Sequence, residues 1–194
     1  MKALANFLFE VGMLKRTPRT GFQFLGSGSE SVAEHVLRTV FISYALSSLA
    51  PEADRQKLLL TALFHDLPEA RTGDHNYMNK KYTSVDEEKA LKDALCGLSF
   101  KGEVEDLLQD FREQTSLEAK LARDADNIEL LLQLKEQKDL GNPYADEWMK
   151  FTLQRIATPE GKKLADTIIE TDSTHWWFDK NSDWWINAGN GLIK

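Results

Sequence analysis

Apolar residues recur at intervals of three and four along almost the whole 194-residue chain, the period of helices buried on one face. Ala3, Leu4, Phe7, Leu8, Val11 and Leu14 predict a first helix. No small-residue cleavage pattern follows them, so the start of the chain reads as a helix rather than a secretory signal. A polar loop rich in Gly, Ser, Thr and Arg covers 15–30. Ser31 and Glu34 have capping-box spacing and predict a second helix running to about Ala50. Pro51 opens a third segment, with Leu58, Leu59, Leu60, Ala62, Leu63 and Phe64 expected to be buried. Pro68 predicts its end near Leu67, because proline disfavours α backbone in the residue before it. Residues 71–82, with Gly73, Asn76 and Asn79, read as a loop.

Two charged amphipathic segments follow, at about 84–98 and 103–114. Thr115-Ser116-Leu117-Glu118 reads as a second capping box, opening a long helix through Leu134. Its apolar side carries Leu121, Ala125, Ile128, Leu131 and Leu132, and Gly141 stops it. Asn142-Pro143 and Thr158-Pro159 each predict a helix start with proline at the first position. No segment alternates as a run of strands. The expectation is one all-α domain over 1–194, a bundle of about eight or nine helices.

Composition narrows the partners. A net charge of -7 lacks the basic footprint of a protein that binds a nucleic acid polymer. An anionic substrate would have to be attracted locally, by a metal or by a few Arg and Lys. No apolar run approaches the roughly 20 residues of a membrane span. Cys96 is the one cysteine, so no internal disulfide can form, which fits a reducing cytoplasmic setting. The stretch 172–194 holds Trp176, Trp177, Trp184 and Trp185. It is expected to pack on the domain or on a second copy, since it lacks the basic face of a membrane anchor.

The candidate chemistry lies on the helices. His35 sits in the first turns of the second, His65 and Asp66 end the third, and Asp126 lies in the long one. Together they offer two nitrogen and two oxygen ligands. Neighbours on a helix diverge by about 100°, so His65 and Asp66 can both reach a metal lying between their directions. Asp124, about 200° round the helix from Asp126, is the competing position. A mixed imidazole and carboxylate set admits Mn, Co, Fe, Ni or Zn. Four protein ligands on an octahedral ion leave two positions for water and a substrate oxygen, which suits phosphoryl chemistry.

These residues stand in wider motifs: Leu14-Lys15-Arg16-Thr17-Pro18-Arg19-Thr20-Gly21-Phe22, Glu30 to His35, His65-Asp66-Leu67-Pro68-Glu69 with Gly73-Asp74, and Glu118-Ala119-Lys120 leading to Asp126. Over about residues 4–165 the set resembles the HD-domain metal-dependent phosphohydrolases, in their 5'-deoxynucleotidase branch. The resemblance implies an all-α fold, a homodimer and one divalent metal held by His35, His65, Asp66 and Asp126. It also implies hydrolysis of 5'-nucleoside monophosphates, preferentially deoxy, to nucleoside and phosphate. Asp126 is favoured over Asp124 because Ala-Asp-x-x-Glu matches the family there. Another phosphate ester, such as a cyclic nucleotide or a triphosphate, and a non-catalytic nucleotide sensor stay open as alternatives.

Glu69 is the candidate general acid or base, and Asp74 a candidate for the sugar hydroxyls or the attacking water. Arg16 or Arg19 would clamp the phosphate, since guanidinium pairs bidentately with its oxygens. Where some relatives place Trp directly after that Arg, this chain has Thr17 after Arg16, and Phe22 is the aromatic candidate. Lys80 and Lys81 are further phosphate candidates. Glu34 needs no role beyond capping, and His75 and His175 are read as bystanders.

Overall fold

The computed structural model describes residues 1–182, 184 and 185. Among them there are eleven α-helical segments and no strand. Eight helices have eight or more residues: α1 (Lys2–Val11), α3 (Val32–Leu49), α4 (Arg55–Phe64), α7 (Glu87–Ala94), α8 (Lys101–Glu113), α9 (Leu117–Asp139), α10 (Ala145–Leu153) and α11 (Pro159–Glu170). The short ones are α2 (Phe22–Leu25), α5 (Glu69–Thr72) and α6 (Tyr77–Tyr82), and a 3-10 turn over Gly12–Lys15 follows α1. The all-α expectation holds, with the three short segments added to the expected count.

Helix α9 is the post around which the others stand. Leu121, Ala125, Ile128, Leu131 and Leu134 are fully buried along it, joined by Leu46 of α3 and Leu58 of α4 in the main core. A second cluster, Phe7, Leu91, Leu95, Val104 and Leu108, seats α1 against α7 and α8. Both come from apolar residues at helical spacing, whose removal from water drives the packing.

Several helix ends differ from expectation. Ser31 and Glu34 form the full capping box at α3. The next helix begins at Arg55, not at Pro51, because the Asp54 side chain accepts from the Lys57 N–H and caps it there. Leu63 faces outward on that helix. At α9 the cap is Ser116, accepting from Ala119 N, while Glu118 accepts from the Asp54 backbone instead of closing a box with Thr115. Helix α9 runs five residues past Leu134, to Asp139. Pro143 lies in a turn, and α10 starts at Ala145. Residues 77–82, expected as loop, form α6, because the Asn76 side chain accepts from both Met78 N and Asn79 N.

The loop from 16 to 31 is clasped at its base. Arg19 N donates to Glu30 O at 2.8 Å and Val32 N to Thr17 O at 2.9 Å. Farther out, Asn142 donates to Leu25 O and Ser27 to Gln137. Gly28, at φ +80°, lets the loop pass so close that a Cβ there would stand 2.8 Å from the Phe22 ring. Phe22 is thereby held in place.

In the Trp-rich stretch, residues 183 and 186–194 lie outside the described residues. The described aromatic rings pack on one another, with Trp184 and Trp185 centroids 4.5 Å apart, and Trp176 is 86% exposed. Ser173 N donates to Asp139 and ties the stretch to the end of α9.

Candidate functional site

Four side chains from three elements converge. His35 is delivered by the second turn of α3, His65 and Asp66 by the turn that ends α4, and Asp126 by the middle of α9. His35 Nε2 lies 3.2 Å from His65 Nε2, 3.4 Å from Asp66 Oδ2 and 3.2 Å from Asp126 Oδ1. His65 Nε2 lies 3.2 Å from Asp66 Oδ2. Ligand atoms of His35, His65 and Asp126 all fall within 4.8 Å of one another, close enough to hold one ion.

The outer nitrogens set the tautomers. His35 Nδ1 donates to Glu129 Oε2 at 2.7 Å, and His65 Nδ1 donates to Ala62 O at 2.8 Å. Each ring therefore turns its Nε2 inward, and a ring that is neutral offers a lone pair there, as histidines that bind a metal do when the other nitrogen donates to a carboxylate or carbonyl. Two Nε2 atoms and two carboxylates then face one point, where a cation would take the place of the proton that the carboxylates otherwise hold on His35. Asp66 Oδ2 is buried and accepts no hydrogen bond among the described residues. Burial and Arg19 oppose a proton on His35, yet the Asp126 and Glu129 carboxylates outweigh them and push it up to about 10. Burial likewise works against the charge of Asp66 and Asp126, but the surrounding histidines and Arg19 hold both carboxyls below the usual range. The donor set calls for a cation, and a divalent ion fits it.

Asp124 serves a different purpose. It is fully buried and accepts from Ala157 N at 2.8 Å, Thr158 N at 2.7 Å and the Thr158 hydroxyl. It fastens the start of α11 to α9 and stands outside the cluster.

A cleft of about 690 Å³ opens over the cluster. Arg19 enters it beside the carboxylates, 3.5 Å from Asp66 Oδ2 and 3.8 Å from Asp74 Oδ1. Asp74 also accepts from Thr20 N at 2.7 Å, so it holds the loop that presents Arg19. Glu69, in the first turn of α5, lines the cleft, with Oε2 buried and unpartnered among the described residues. Burial first, then Asp66 and Asp74, push its carboxyl up to about 9. Phe22 and Lys80 line the cleft as well. Arg16 does not: it is exposed on the outer side of the clasp, where Thr17 takes the inward position and donates to Met13 O. His75 lies at the rim, bonded to Thr72 O and Thr83, and His175 is exposed far along the chain.

Sequence reasoning missed several residues. Glu129 closes the Ala-Asp-x-x-Glu pattern but carries no role of its own in the sequence reading; it is one turn beyond Asp126 and shares its face of α9. It is bridged to α3 twice, by His35 and by Arg38, whose Nη2 is 2.7 Å from Glu129 Oε1. Glu30 lies beside Glu129 and is pushed up to about 7, by burial and then by that carboxylate. Arg123 Nη1 sits 3.3 Å from Asp126 Oδ2, with its guanidinium 3.9 Å from the Phe111 ring centre. Trp148 reaches the cleft from α10, and no local pattern announces it.

Comparison with known proteins identifies the family. A family model described as the HD domain matches residues 11–168. The chain is 32% identical over 177 residues to the 5'-deoxynucleotidase HDDC2 of Xenopus laevis, covering 87% of each protein. It is 27% identical over 184 residues to the protein of the same name from Danio rerio, covering 90% of each. Among solved structures, a conserved hypothetical protein from Pyrococcus furiosus superposes with a TM-score of 0.76 at 27% identity, covering 86% of this chain and 99% of that one.

Proposed function

We propose that this chain, which belongs to the HD-domain family, is a metal-dependent phosphohydrolase, a 5'-deoxynucleotidase that cleaves deoxyribonucleoside 5'-monophosphates to deoxynucleoside and phosphate. The observation that carries the reading is the convergence of His35, His65, Asp66 and Asp126 on one point beneath a cleft that also holds Arg19. Relatives named for this activity align over most of the chain.

In this reading those four residues hold one divalent ion, for which Mn, Co, Fe, Ni and Zn all suit the donor set. Bound there, such an ion would supply Lewis-acid polarisation of a phosphoryl oxygen and would acidify a water near neutral pH. The remaining work falls to the chain. Arg19 pairs with the phosphate oxygens, oriented by Asp74, which grips the Arg19–Thr20 backbone. Burial, and then Asp66 and Asp74 beside it, raise the Glu69 carboxyl, which favours its use as a proton donor. A water attacks phosphorus, the bond from phosphorus to the 5' oxygen breaks, and Glu69 gives its proton to that leaving oxygen. The proton shed by the water restores Glu69 for the next cycle.

A homodimer is part of the proposal. Leu37, Phe41 and Tyr44 recur along one side of α3 and are 61%, 68% and 54% exposed, an apolar stripe that a second copy would cover. A single HD domain accounts for the activity, with the Trp-rich stretch as an extension tied to α9. A cytoplasmic setting fits the exposed free thiol of Cys96.

The test is phosphate release from dAMP, dGMP, dCMP, dTMP and dUMP by protein loaded with each of the five metals. Ribonucleotides, cyclic nucleotides and triphosphates run alongside. Release from the deoxynucleoside monophosphates above the others is expected. Turnover of only a cyclic nucleotide or a triphosphate, or tight binding with no turnover, overturns the proposal.

A further inference from the structure

The proposed chemistry uses one end of the cleft. Its other wall is aromatic and takes no part in the steps described. Trp148 of α10 and Tyr77, the first residue of α6, line it, with ring centroids 6.4 Å apart and planes at 81°. Arg155 stands over the Tyr77 ring at 5.2 Å. Phe24 backs Trp148 at 6.5 Å. The wall is built rather than incidental. Asn76 caps α6 with its oxygen, and its amide nitrogen donates to Gln23 Oε1 at 3.1 Å, so the helix that begins with Tyr77 is locked to the loop carrying Phe22.

Chain geometry ties this wall to the phosphate end. Tyr77 is three residues beyond Asp74, which lies 3.8 Å from Arg19. Three residues span at most about 11 Å. A molecule with a phosphate at Arg19 can therefore lay a flat ring against Tyr77 and Trp148 within the same cleft. Tyr77 is about half exposed, so with Trp148 and Arg155 beside it part of its ring surface still lines the cleft uncovered. Aromatic faces that take a nucleobase by stacking tolerate any base, since every base has a π face.

We infer that Trp148 and Tyr77 are the nucleobase-binding residues of this protein, holding the base by stacking while Arg19 holds the phosphate. The inference rests on the nucleotidase reading and extends it to residues which that reading leaves idle. It places substrate contacts on α10, beyond the ligand-bearing helices, and makes larger purine rings the better-held bases.

Two measurements on metal-loaded, full-length protein test it. The first is the ratio of kcat/KM for dGMP to kcat/KM for deoxyribose 5-phosphate, which has no base. In Trp148→Leu and Tyr77→Ala this ratio falls roughly tenfold each, the size of one stacking contact, and falls less when dCMP replaces dGMP. A change that merely loosened the fold would lower both substrates together and leave the ratio intact, and that result overturns the inference. The second is tryptophan fluorescence during titration with dGMP. The wild type is quenched and Trp148→Phe loses most of the quench. Quenching that survives in Trp148→Phe overturns the inference too. Quench lost in the variant, with no hydrolysis of any nucleotide by the wild type, would uphold the base site and remove the nucleotidase reading.

Discussion

His35 Nδ1 donates to Glu129 Oε2 at 2.7 Å across the α3–α9 interface, and neither side chain is more than 1% exposed. That bond decides which nitrogen of His35 faces the carboxylates. Glu129 is itself held by Arg38 through its other oxygen. Glu129→Gln keeps the shape but can no longer enforce the Nδ1–H tautomer as an anion does. Metal affinity should drop 10- to 100-fold, the usual effect of losing the carboxylate that orients a metal-binding histidine. Isothermal titration with Mn or Zn reads this directly, and wild-type affinity in Glu129→Gln would refute the assigned role.

Asp124 and Asp126, two residues apart on α9, should separate stability from metal binding. Asp124→Ala removes an acceptor of three hydrogen bonds at the start of α11 and leaves the two buried Thr158 donors, its N–H and its hydroxyl, unpaired. The expected cost is about 3 kcal/mol or more, seen as a lower urea midpoint, with metal content retained. Asp126→Asn should do the reverse. It loses the metal, and the metal-free form gives up only the pairing of the Asp126 carboxylate with His35 and Arg123, leaving the start of α11 intact. Equal metal loss in both variants would contradict this division.

Chelation should destabilise the wild type by mass action. An ion supplied at a hundred times its Kd stabilises the native state by about 2.7 kcal/mol. For a chain of this size that corresponds to a Tm drop of roughly 5–10 °C on adding EDTA, reversed by excess metal. Asp126→Asn, scanned calorimetrically under the same conditions, should show no such shift. A wild-type Tm indifferent to EDTA and to added metal would argue against an ion at this site.

The helices and the four converging side chains were legible in the sequence because their signals are local or motif-bound. Ser31 with Glu34, and Thr158 before Pro159, announce helix starts by short-range hydrogen bonding and fixed φ, and both starts are observed. His65-Asp66 and Asp126 belong to a recognisable spaced set. What escaped was set by tertiary partners. Asn76 caps a six-residue helix that has too little periodicity to read. Glu118 could close a box with Thr115, but the Asp54 N–H claims it. The choice of Arg19 over Arg16 depends on how the clasped loop turns, with Asp74, 54 residues away from Thr20, fixing that turn. Trp148 reaches the cleft only because α10 packs beside α9.

The apolar stripe on α3 should report assembly. Phe41→Glu sets a charge in the middle of Leu37, Phe41 and Tyr44, where a second copy would have to desolvate it. Sedimentation velocity should then show a monomer where the wild type is expected to be a dimer, with the helical signal in circular dichroism preserved, since Phe41 is already exposed in the single chain. A dimer that persists in Phe41→Glu would move the interface elsewhere.

Glu69→Gln isolates the proton step. Glutamine matches glutamate in size and remains a hydrogen-bond donor, but it has no proton to give to the 5' oxygen. Glu69 is also outside the converging ligand set, so metal uptake should stay at the wild-type level. Removing a general acid costs typically 10²- to 10⁴-fold in rate. The loss should appear in kcat with little change in KM, because Arg19 and the ligand set still bind the phosphate. A substrate with a better leaving group, such as p-nitrophenyl phosphate, needs no proton on departure, so on it the variant should recover much of the lost rate. An equal loss on p-nitrophenyl phosphate and dGMP would mean that Glu69 positions the water or the ion rather than protonating the leaving group. Unchanged kcat on both would take Glu69 out of the chemistry altogether.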